Sequence, residues 1–342
     1  MEVFLPKEPS SVSNKIAAFD LDGTLITTKS KRRFPKDKND WKLANAVVAS
    51  KLKELVEDGY SIIVFTNQKN LEKRMKKTDF KEKCVDIQNL LDIPIIFYAA
   101  LEDGYIRKPF PGMFEYHNKQ YPVSLVESFY VGDAWSKTEC FSDSDLCFAQ
   151  NCALPFYKAE DFFTNDCPAC YEVSPLRSFP RDPHFVRKQI ELKNFIKDMQ
   201  YLFIISPPAS GKTTFCERYL SEFVRLSKDD YKQPSKYRHV IQANLENKIV
   251  FDNTNSTFNS REKIINLLPK SAQIGFIVRH VPKEQSFYLN KYRHFLSKGR
   301  EKLLPDVAIY MYYKRLVVPT GGPIFTINSS WIYTSQLKQF HC

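Results

Sequence analysis

The 342-residue sequence predicts an α/β protein of two domains, each a parallel sheet flanked by helices. Three observations predict it. Short apolar runs ending at Phe19, Phe65, Val131 and Ile205 have the length and the uninterrupted hydrophobicity of strands buried on both faces. Each gives way at once to small or polar residues, the place where parallel sheets carry their ligands. Between about Asn165 and Pro183 the chain turns rich in Pro, Ser, Asp and Arg, which marks a boundary between two halves of ordinary domain size.

The first run ends in Phe19-Asp20-Leu21-Asp22-Gly23-Thr24. Carboxylates at i and i+2 leave the pleat on the same side, and Gly23 lets the chain turn immediately. One carboxylate can attack phosphorus while the other handles the leaving-group proton, and both can approach one hard cation. A strand end followed by a polar Asp-Gly turn is the plainer alternative.

Two later runs repeat the pattern. Ser61–Phe65 delivers Thr66-Asn67-Gln68, and Val126–Val131 delivers Gly132-Asp133-Ala134. Arg107-Lys108-Pro109 sits in a loop between them. Taken in this order, three strand ends and one lysine describe a single phosphate- or metal-competent site.

In the second half, the strand-like run Tyr201–Ile205 precedes Ser206-Pro207-Pro208-Ala209-Ser210-Gly211-Lys212-Thr213-Thr214. Phe215, Tyr219, Leu220 and Phe223 then fall on one helical face. Strand, small-residue loop, Gly-Lys-Thr and helix make a P-loop. Its amides cradle phosphates, Lys212 neutralises them and the Thr213 hydroxyl reaches Mg²⁺. The pattern expects glycine where Ser206 stands, and related kinases commonly have it where Ala209 stands. Both side chains are expected to reduce ATP affinity more than turnover.

Farther on, Val224–Ser227 leads into Lys228-Asp229-Asp230, and Lys248–Phe251 into Asp252-Asn253-Thr254-Asn255. A kinase needs a carboxylate to accept the proton of the attacking hydroxyl, and cations beyond the P-loop lysine. Arg261 and Arg293 are placed to supply charge from helices, with a surface salt bridge as the alternative for each.

Residues 15 to about 155 resemble phosphatases of the haloacid dehalogenase superfamily, through Asp20-Leu21-Asp22-Gly23-Thr24, Thr66, Lys108 and Asp133. The resemblance implies that Asp20 is the nucleophile of an aspartyl-phosphate and that Asp22 is the general acid and base. It implies that Thr66 and Lys108 contact the phosphoryl group, and that Asp20, the Asp22 carbonyl and Asp133 hold Mg²⁺. Asp143 and Asp145 are alternatives for a further metal contact, or solvated loop residues. From about residue 4 to about 325 the chain resembles animal-type polynucleotide kinase 3′-phosphatases, which place such a phosphatase before a P-loop kinase. Phe19 to Thr28, Phe65 to Gln68, Leu154-Pro155-Phe156 and Pro305 to Arg315 extend the similarity between motifs. By that resemblance the fold is a haloacid dehalogenase-like, Rossmannoid sheet over residues 1–166, a linker over 167–184 and a P-loop kinase domain over 185–342. Asp229 is then the base for a 5′-hydroxyl, Ser206 to Thr214 bind ATP with Mg²⁺ at Thr213, Asp252 joins that site, and Arg293 is the lid arginine.

The expected activity is end healing in strand-break repair: removal of 3′-phosphates and ATP-dependent phosphorylation of 5′-hydroxyls. A phosphatase with a degenerate kinase module, a small-molecule phosphatase/kinase fusion and an inactive scaffold for broken ends are the alternatives. A forkhead-associated module is not expected, nor the scaffold binding it would mediate. The chain also departs from the family at Lys69–Lys77, where a glycine-containing loop is usual, and in a short insertion after Gly132-Asp133-Ala134.

Composition agrees with nucleic acid as partner. Lys and Arg number 50 against 39 Asp and Glu, a formal charge of +11, which favours polyanions. Lys29-Ser30-Lys31-Arg32-Arg33 follows the nucleophile loop and is placed to track backbone phosphates, DNA ends foremost and RNA ends in principle. Lys69–Lys83 is a second basic run. Both can also be solvated faces, and Lys31–Arg33 can be read as a nuclear import signal, against its place inside a domain. No apolar run approaches membrane length and no secretory signal is evident, so a monomer in a reducing compartment is expected, nuclear in a cellular eukaryote and otherwise cytoplasmic. The eight cysteines, Cys167-Pro168-Ala169-Cys170 among them, are read as thiols.

Overall fold

The computed structural model describes residues 2–4, 11–165, 168–171, 185–231, 233–328 and 340. The chain divides into two compact units, drawn mainly from Met1–Leu176 and from Arg177–Leu296 with Glu301–Lys338. Cys167 and most of the predicted linker lie outside the described residues. Cys170 is an exposed free thiol.

The first unit runs β1 (Glu2–Phe4), β2 (Ile16–Phe19), β3 (Ile26–Thr27), β4 (Lys42–Leu43), α1 (Val48–Glu57), β5 (Ser61–Asn67), α2 (Lys77–Leu91), β6 (Ile95–Ala100), α3 (Gly112–Gln120), β7 (Phe129–Gly132), α4 (Ser144–Asn151), β8 (Phe156–Lys158) and α5 (Ala159–Thr164). Its main sheet has the order β1-β6-β5-β2-β7-β8. All neighbours are parallel except β1 against β6. The central strands β2, β5, β6 and β7 are buried on both faces because successive side chains alternate between two cores. Ala17 and Phe19 of β2 enter one, and Ile16 and Ala18 enter the other. That double burial is why the sequence shows unbroken apolar runs rather than alternation.

The second unit runs α6 (Phe185–Lys197), β9 (Tyr201–Ile205), α7 (Lys212–Tyr219), β10 (Val224–Leu226), α8 (Pro234–Ala243), β11 (Ile249–Phe251), α9 (Phe258–Ile265), β12 (Ile274–His280), α10 (Lys283–Leu296), α11 (Asp306–Arg315) and β13 (Ile324–Asn328). Its sheet, β10-β11-β9-β12-β13, is wholly parallel. Leu202 and Ile204 of β9 face one core while Tyr201, Phe203 and Ile205 face the other.

Two local expectations change. The strand expected from Val126 begins at Phe129. Val126 is 95% exposed, in a turn closed by the Glu127 amide donating to the Ser124 carbonyl at 3.3 Å. Hydrophobicity alone could not separate that turn from the strand it precedes. Helix α7 ends at Tyr219, so Leu220 and Phe223 reach their core from the turn beyond it.

Candidate functional site

The three strand ends of the first unit do converge. The Asp20 amide donates to the Val131 carbonyl at 2.9 Å, which pins the end of β2 beside the segment that carries Asp133. Asp20, Asp133 and Asp145 each offer a carboxylate oxygen, all within 4.8 Å of one another. Lys108 Nζ donates to Asp20 Oδ1 at 2.5 Å, to Asp145 Oδ1 at 2.7 Å and to Tyr130 Oη at 2.9 Å. Of the two acids left open by the sequence, Asp145 joins the cluster. Asp143 pairs with Lys137 at 2.9 Å.

Glycines make this approach feasible. A Cβ at Gly132 would lie 2.5 Å from Asp145 Cβ, and one at Gly23, whose φ is +95°, would lie 2.3 Å from an Asp133 carboxylate oxygen. Burial pushes the Asp20 carboxyl well above its ordinary value, with Asp145 and Asp133 adding to the shift and Lys108 opposing it. Desolvation and Asp145 likewise raise Asp133 to about 6. Burial alone would lower the Lys108 ammonium, but the two carboxylates prevail and raise it. Three acids against one lysine leave excess negative charge on a hard-oxygen donor set, which fits Mg²⁺.

Asp22 stands apart from that cluster. Gln68 Nε2 donates to Asp22 Oδ2 at 2.6 Å and to Thr66 Oγ1 at 3.0 Å. Lys83 Nζ lies 3.5 Å from Asp22 Oδ1. Thus the Asp22 carboxylate meets a hydrogen-bond donor from just beyond β5 and a cation from α2, outside the group formed by Asp20, Asp133 and Asp145. Asn67 fastens the Lys108 segment, accepting from the Lys108 amide at 3.0 Å and donating to the Lys108 carbonyl at 3.1 Å.

The β3–β4 loop and the segments after β5 and β7 bring two exposed aromatics together with two arginines. The Arg33 guanidinium lies 5.5 Å from the Phe34 ring centroid and 4.1 Å from that of Phe141, and Arg74 lies 4.7 Å from Phe34. Phe34 is 53% exposed and Phe141 81%. Asp40 fixes the loop that holds Lys29 to Phe34, accepting from the Ser30 hydroxyl at 2.6 Å, the Ser30 amide at 2.8 Å and the Lys36 amide at 2.9 Å. Those bonds hold its carboxyl down at about 2.

In the second unit the loop after β9 wraps the N-terminus of α7. Gly211 adopts φ +74° and Ala209 φ +58°, the left-handed region that glycine fills without cost and alanine does not. Ser206 does not enter the cradle as expected. It is fully buried, with its hydroxyl 2.7 Å from that of Ser210, which donates to the Pro207 carbonyl at 2.7 Å. Lys212 Nζ donates to the Pro207 carbonyl at 2.9 Å, and burial lowers its ammonium to about 8. Ser286 of α10 donates to the Pro208 carbonyl at 2.8 Å.

The Thr213 hydroxyl donates to Asp252 Oδ2 at 2.8 Å, which also accepts from Arg225 at 3.0 Å. Asp252 Oδ1 is buried with no partner among the described residues, an acceptor that suits the Mg²⁺ of a nucleotide. Asp229 is the middle residue of the short turn Lys228–Asp230, its amide donating to the hydroxyl of the capping Ser227 at 3.4 Å. Arg261 serves neither reading made for it. Buried, it donates to the carbonyls of Asn255 at 2.9 Å and Val317 at 2.8 Å. Arg293 donates to the Lys302 carbonyl at 2.9 Å and lies 3.8 Å from Glu301, on the loop after α10.

Sequence reasoning missed Arg225, Arg279 and Lys83. Arg225 bridges Asp252 and, at 2.9 Å, Asp230. Arg279 is buried beside the loop and donates to the Ser210 carbonyl at 3.0 Å. Lys83 is buried as well, and of the three it alone had a readable signal. With Phe80, Cys84 and Ile87 it completes an i, i+3, i+4, i+7 stripe, a lysine on an otherwise apolar face.

A family model described as polynucleotide kinase 3 phosphatase matches residues 15–163. An uncharacterized 20.8 kDa protein of Autographa californica nuclear polyhedrosis virus is 43% identical over 160 residues, 44% of this chain and 87% of its own. A putative bifunctional polynucleotide phosphatase/kinase of Acanthamoeba polyphaga mimivirus is 27% identical, spanning 89% of this chain and 81% of its own. A bifunctional polynucleotide phosphatase/kinase of Schizosaccharomyces pombe is 33% identical over 325 residues, 92% of this chain and 78% of its own. At that identity and coverage, the chain belongs to the bifunctional polynucleotide phosphatase/kinase family.

Proposed function

We propose that the first unit removes 3′-phosphates from polynucleotide ends and that the second transfers the ATP γ-phosphate to 5′-hydroxyls, with DNA ends as the main substrate. The observation that carries the polynucleotide reading is the Phe34, Arg33, Phe141 and Arg74 cluster. Its members come from the β3–β4 loop and from the segments that follow β5 and β7, and exposed rings with interleaved cations suit stacked bases on a charged strand. A sugar phosphate has no use for it.

In the phosphatase, Asp20 attacks phosphorus. Its new O–P bond forms as the P–O3′ bond breaks, and the leaving oxygen takes the Asp22 proton. The Asp22 carboxylate then takes a proton from water whose oxygen attacks the same phosphorus, releasing inorganic phosphate and restoring Asp20. Lys108 balances the phosphoryl charge and Thr66 orients it. Asp20, Asp133 and Asp145, with the Asp22 carbonyl, would hold Mg²⁺, which would add charge neutralisation of the phosphoryl oxygens.

In the kinase, Asp229 accepts the proton of the 5′-hydroxyl as its oxygen bonds to the γ-phosphorus and ADP departs. Lys212 and the loop amides hold the β- and γ-phosphates, and Thr213 with Asp252 suits their Mg²⁺. A cavity of about 460 Å³ opens beside Pro207, lined by Arg279, Val281, Tyr312, Tyr313 and Leu316. Its aromatic and apolar wall suits the adenine of ATP.

End-labelled DNA and RNA oligonucleotides carrying 3′-phosphate and 5′-hydroxyl termini test both reactions in one buffer. Loss of 3′-phosphate without ATP, and 5′-phosphorylation only with it, are expected. Efficient hydrolysis of sugar phosphates with no turnover of either oligonucleotide would favour the small-molecule reading, and absence of 5′-phosphorylation alone would favour the degenerate-kinase reading.

A further inference from the structure

We infer that Lys83 is a positioning residue for the phosphatase, holding the Asp22 carboxyl in line for proton transfer and stabilising the carboxylate that forms when the proton leaves. The inference rests on the phosphatase reading of the site given above.

Lys83 is 2% exposed and sits in α2 among Phe80, Cys84 and Ile87, all of them buried in one core. Burying an ammonium costs several kcal/mol unless a counter-charge faces it, so an apolar stripe carries a lysine only where something answers it. Here the counter-charge is Asp22, 3.5 Å away, and this is the carboxylate facing Lys83 among the described ion pairs. Lys83 is not needed to balance the transferring phosphoryl group, because Lys108 already stands between Asp20 and Asp145.

The two Asp22 oxygens have different partners from different elements. Oδ1 faces Lys83 of α2, and Oδ2 accepts from Gln68 just beyond β5, which also donates to Thr66. A hydrogen bond on one oxygen and an ion pair on the other restrain the plane of the carboxyl as well as its place, which a half-exposed side chain with two free torsions would otherwise lack. Proton donation leaves Asp22 anionic beside a desolvated cation, so the Lys83 charge is felt most as the leaving oxygen is protonated. Its effect must therefore grow with the basicity of that oxygen.

The test compares Lys83→Met with the wild-type full-length protein on three substrates under saturating Mg²⁺. kcat/KM reports the first irreversible step, in which Asp20 is phosphorylated and the leaving group departs. Thymidine 3′-monophosphate and an oligonucleotide 3′-phosphate expel an alkoxide that needs the proton, whereas p-nitrophenyl phosphate expels a phenolate that does not. General-acid help amounts to 10²–10⁴-fold, so partial loss of it should lower kcat/KM about 30-fold for both 3′-phosphates and less than about threefold for p-nitrophenyl phosphate.

Equal losses on all three substrates would overturn the inference in favour of a structural or phosphoryl-binding role. A loss confined to the oligonucleotide would overturn it in favour of a backbone contact. Wild-type protein inactive on all three would sink the phosphatase reading itself, a distinct result. If Lys83→Met melts well below the wild type, Lys83→Gln, which keeps a polar tip without the charge, is read in the same way.

Discussion

Asp145 and Asp20 share a single ammonium, Lys108 Nζ lying 2.7 Å from one carboxylate and 2.5 Å from the other. Asp20, the proposed nucleophile, is thereby tied to an acid 125 positions away in sequence, one that also accepts from the Tyr130 hydroxyl at 3.1 Å and the Ala134 amide at 3.0 Å. Asp145 thus anchors the lysine and completes the negative cluster.

Asp145→Asn keeps the shape and removes one charge. The apparent Mg²⁺ requirement of the 3′-phosphatase should rise about tenfold or more, since outer and inner ligands commonly contribute 10–100-fold to metal affinity. A Mg²⁺ titration of 3′-phosphate release measures this, with 5′-phosphorylation by the same chain as the internal control. Asp20→Asn, by contrast, should abolish release at every Mg²⁺ concentration.

The two non-glycine positions of the ATP loop should respond in opposite directions. Ala209 is held at φ +58°, a conformation costing an L-residue about 1 kcal/mol, so Ala209→Gly should lower the KM for ATP severalfold. Ser206→Gly deletes the Ser206–Ser210 hydrogen bond, worth about 1 kcal/mol, and should raise that KM by a similar factor. Steady-state 5′-phosphorylation at varied ATP distinguishes them, and a fall in KM for both variants would refute the role given to Ser206.

His117 gives the phosphatase unit an acid limit. It is fully buried, its Nδ1 lying 2.9 Å from the Tyr98 hydroxyl, and burial lowers it from 6.5 to about 4. As pH falls the unfolded chain therefore takes the proton first. Its contribution is intact above about pH 6.5 and declines toward pH 4, by on the order of 2–3 kcal/mol in all. Urea unfolding of wild type and His117→Gln should show a gap that narrows as pH drops through this window. A constant gap would exclude the linkage.

The aromatic cluster makes a prediction about substrate size. Stacking contributes about 1–3 kcal/mol per base, so Phe34→Ala with Phe141→Ala should raise the oligonucleotide KM by at least about tenfold. p-Nitrophenyl phosphate turnover should be little changed. Neutralising Lys31, Arg32 and Arg33 together should flatten the salt dependence of oligonucleotide binding, by roughly 0.7 in log–log slope for each phosphate that is no longer neutralised. A salt response unchanged by that triple substitution would assign these residues to a solvated face.

What the sequence by itself determined was the sheet pattern and the polar residues at the strand ends. Strands buried on both faces leave unbroken apolar runs, and a parallel sheet leaves its chemistry just past them. Asp20, Asp22, Thr66, Asp133 and Asp252 could be picked out as candidates for that reason, Lys108 by its place between two such strand ends, and Lys212 and Thr213 by the P-loop pattern. The tertiary structure decided which charges meet across long separations. Asp143 and Asp145 are equivalent acids in sequence, and only the close packing of α4 on Gly132 distinguishes them. Arg261 reads as a site cation or a surface salt bridge until its carbonyl partners are seen, and Ser206 reads as an obstruction until its hydroxyl is found buried against that of Ser210. Lys83 lies between the two cases. Its misplaced charge on an apolar stripe was visible in the sequence, but the carboxylate that answers it, 61 positions away, was supplied by the fold.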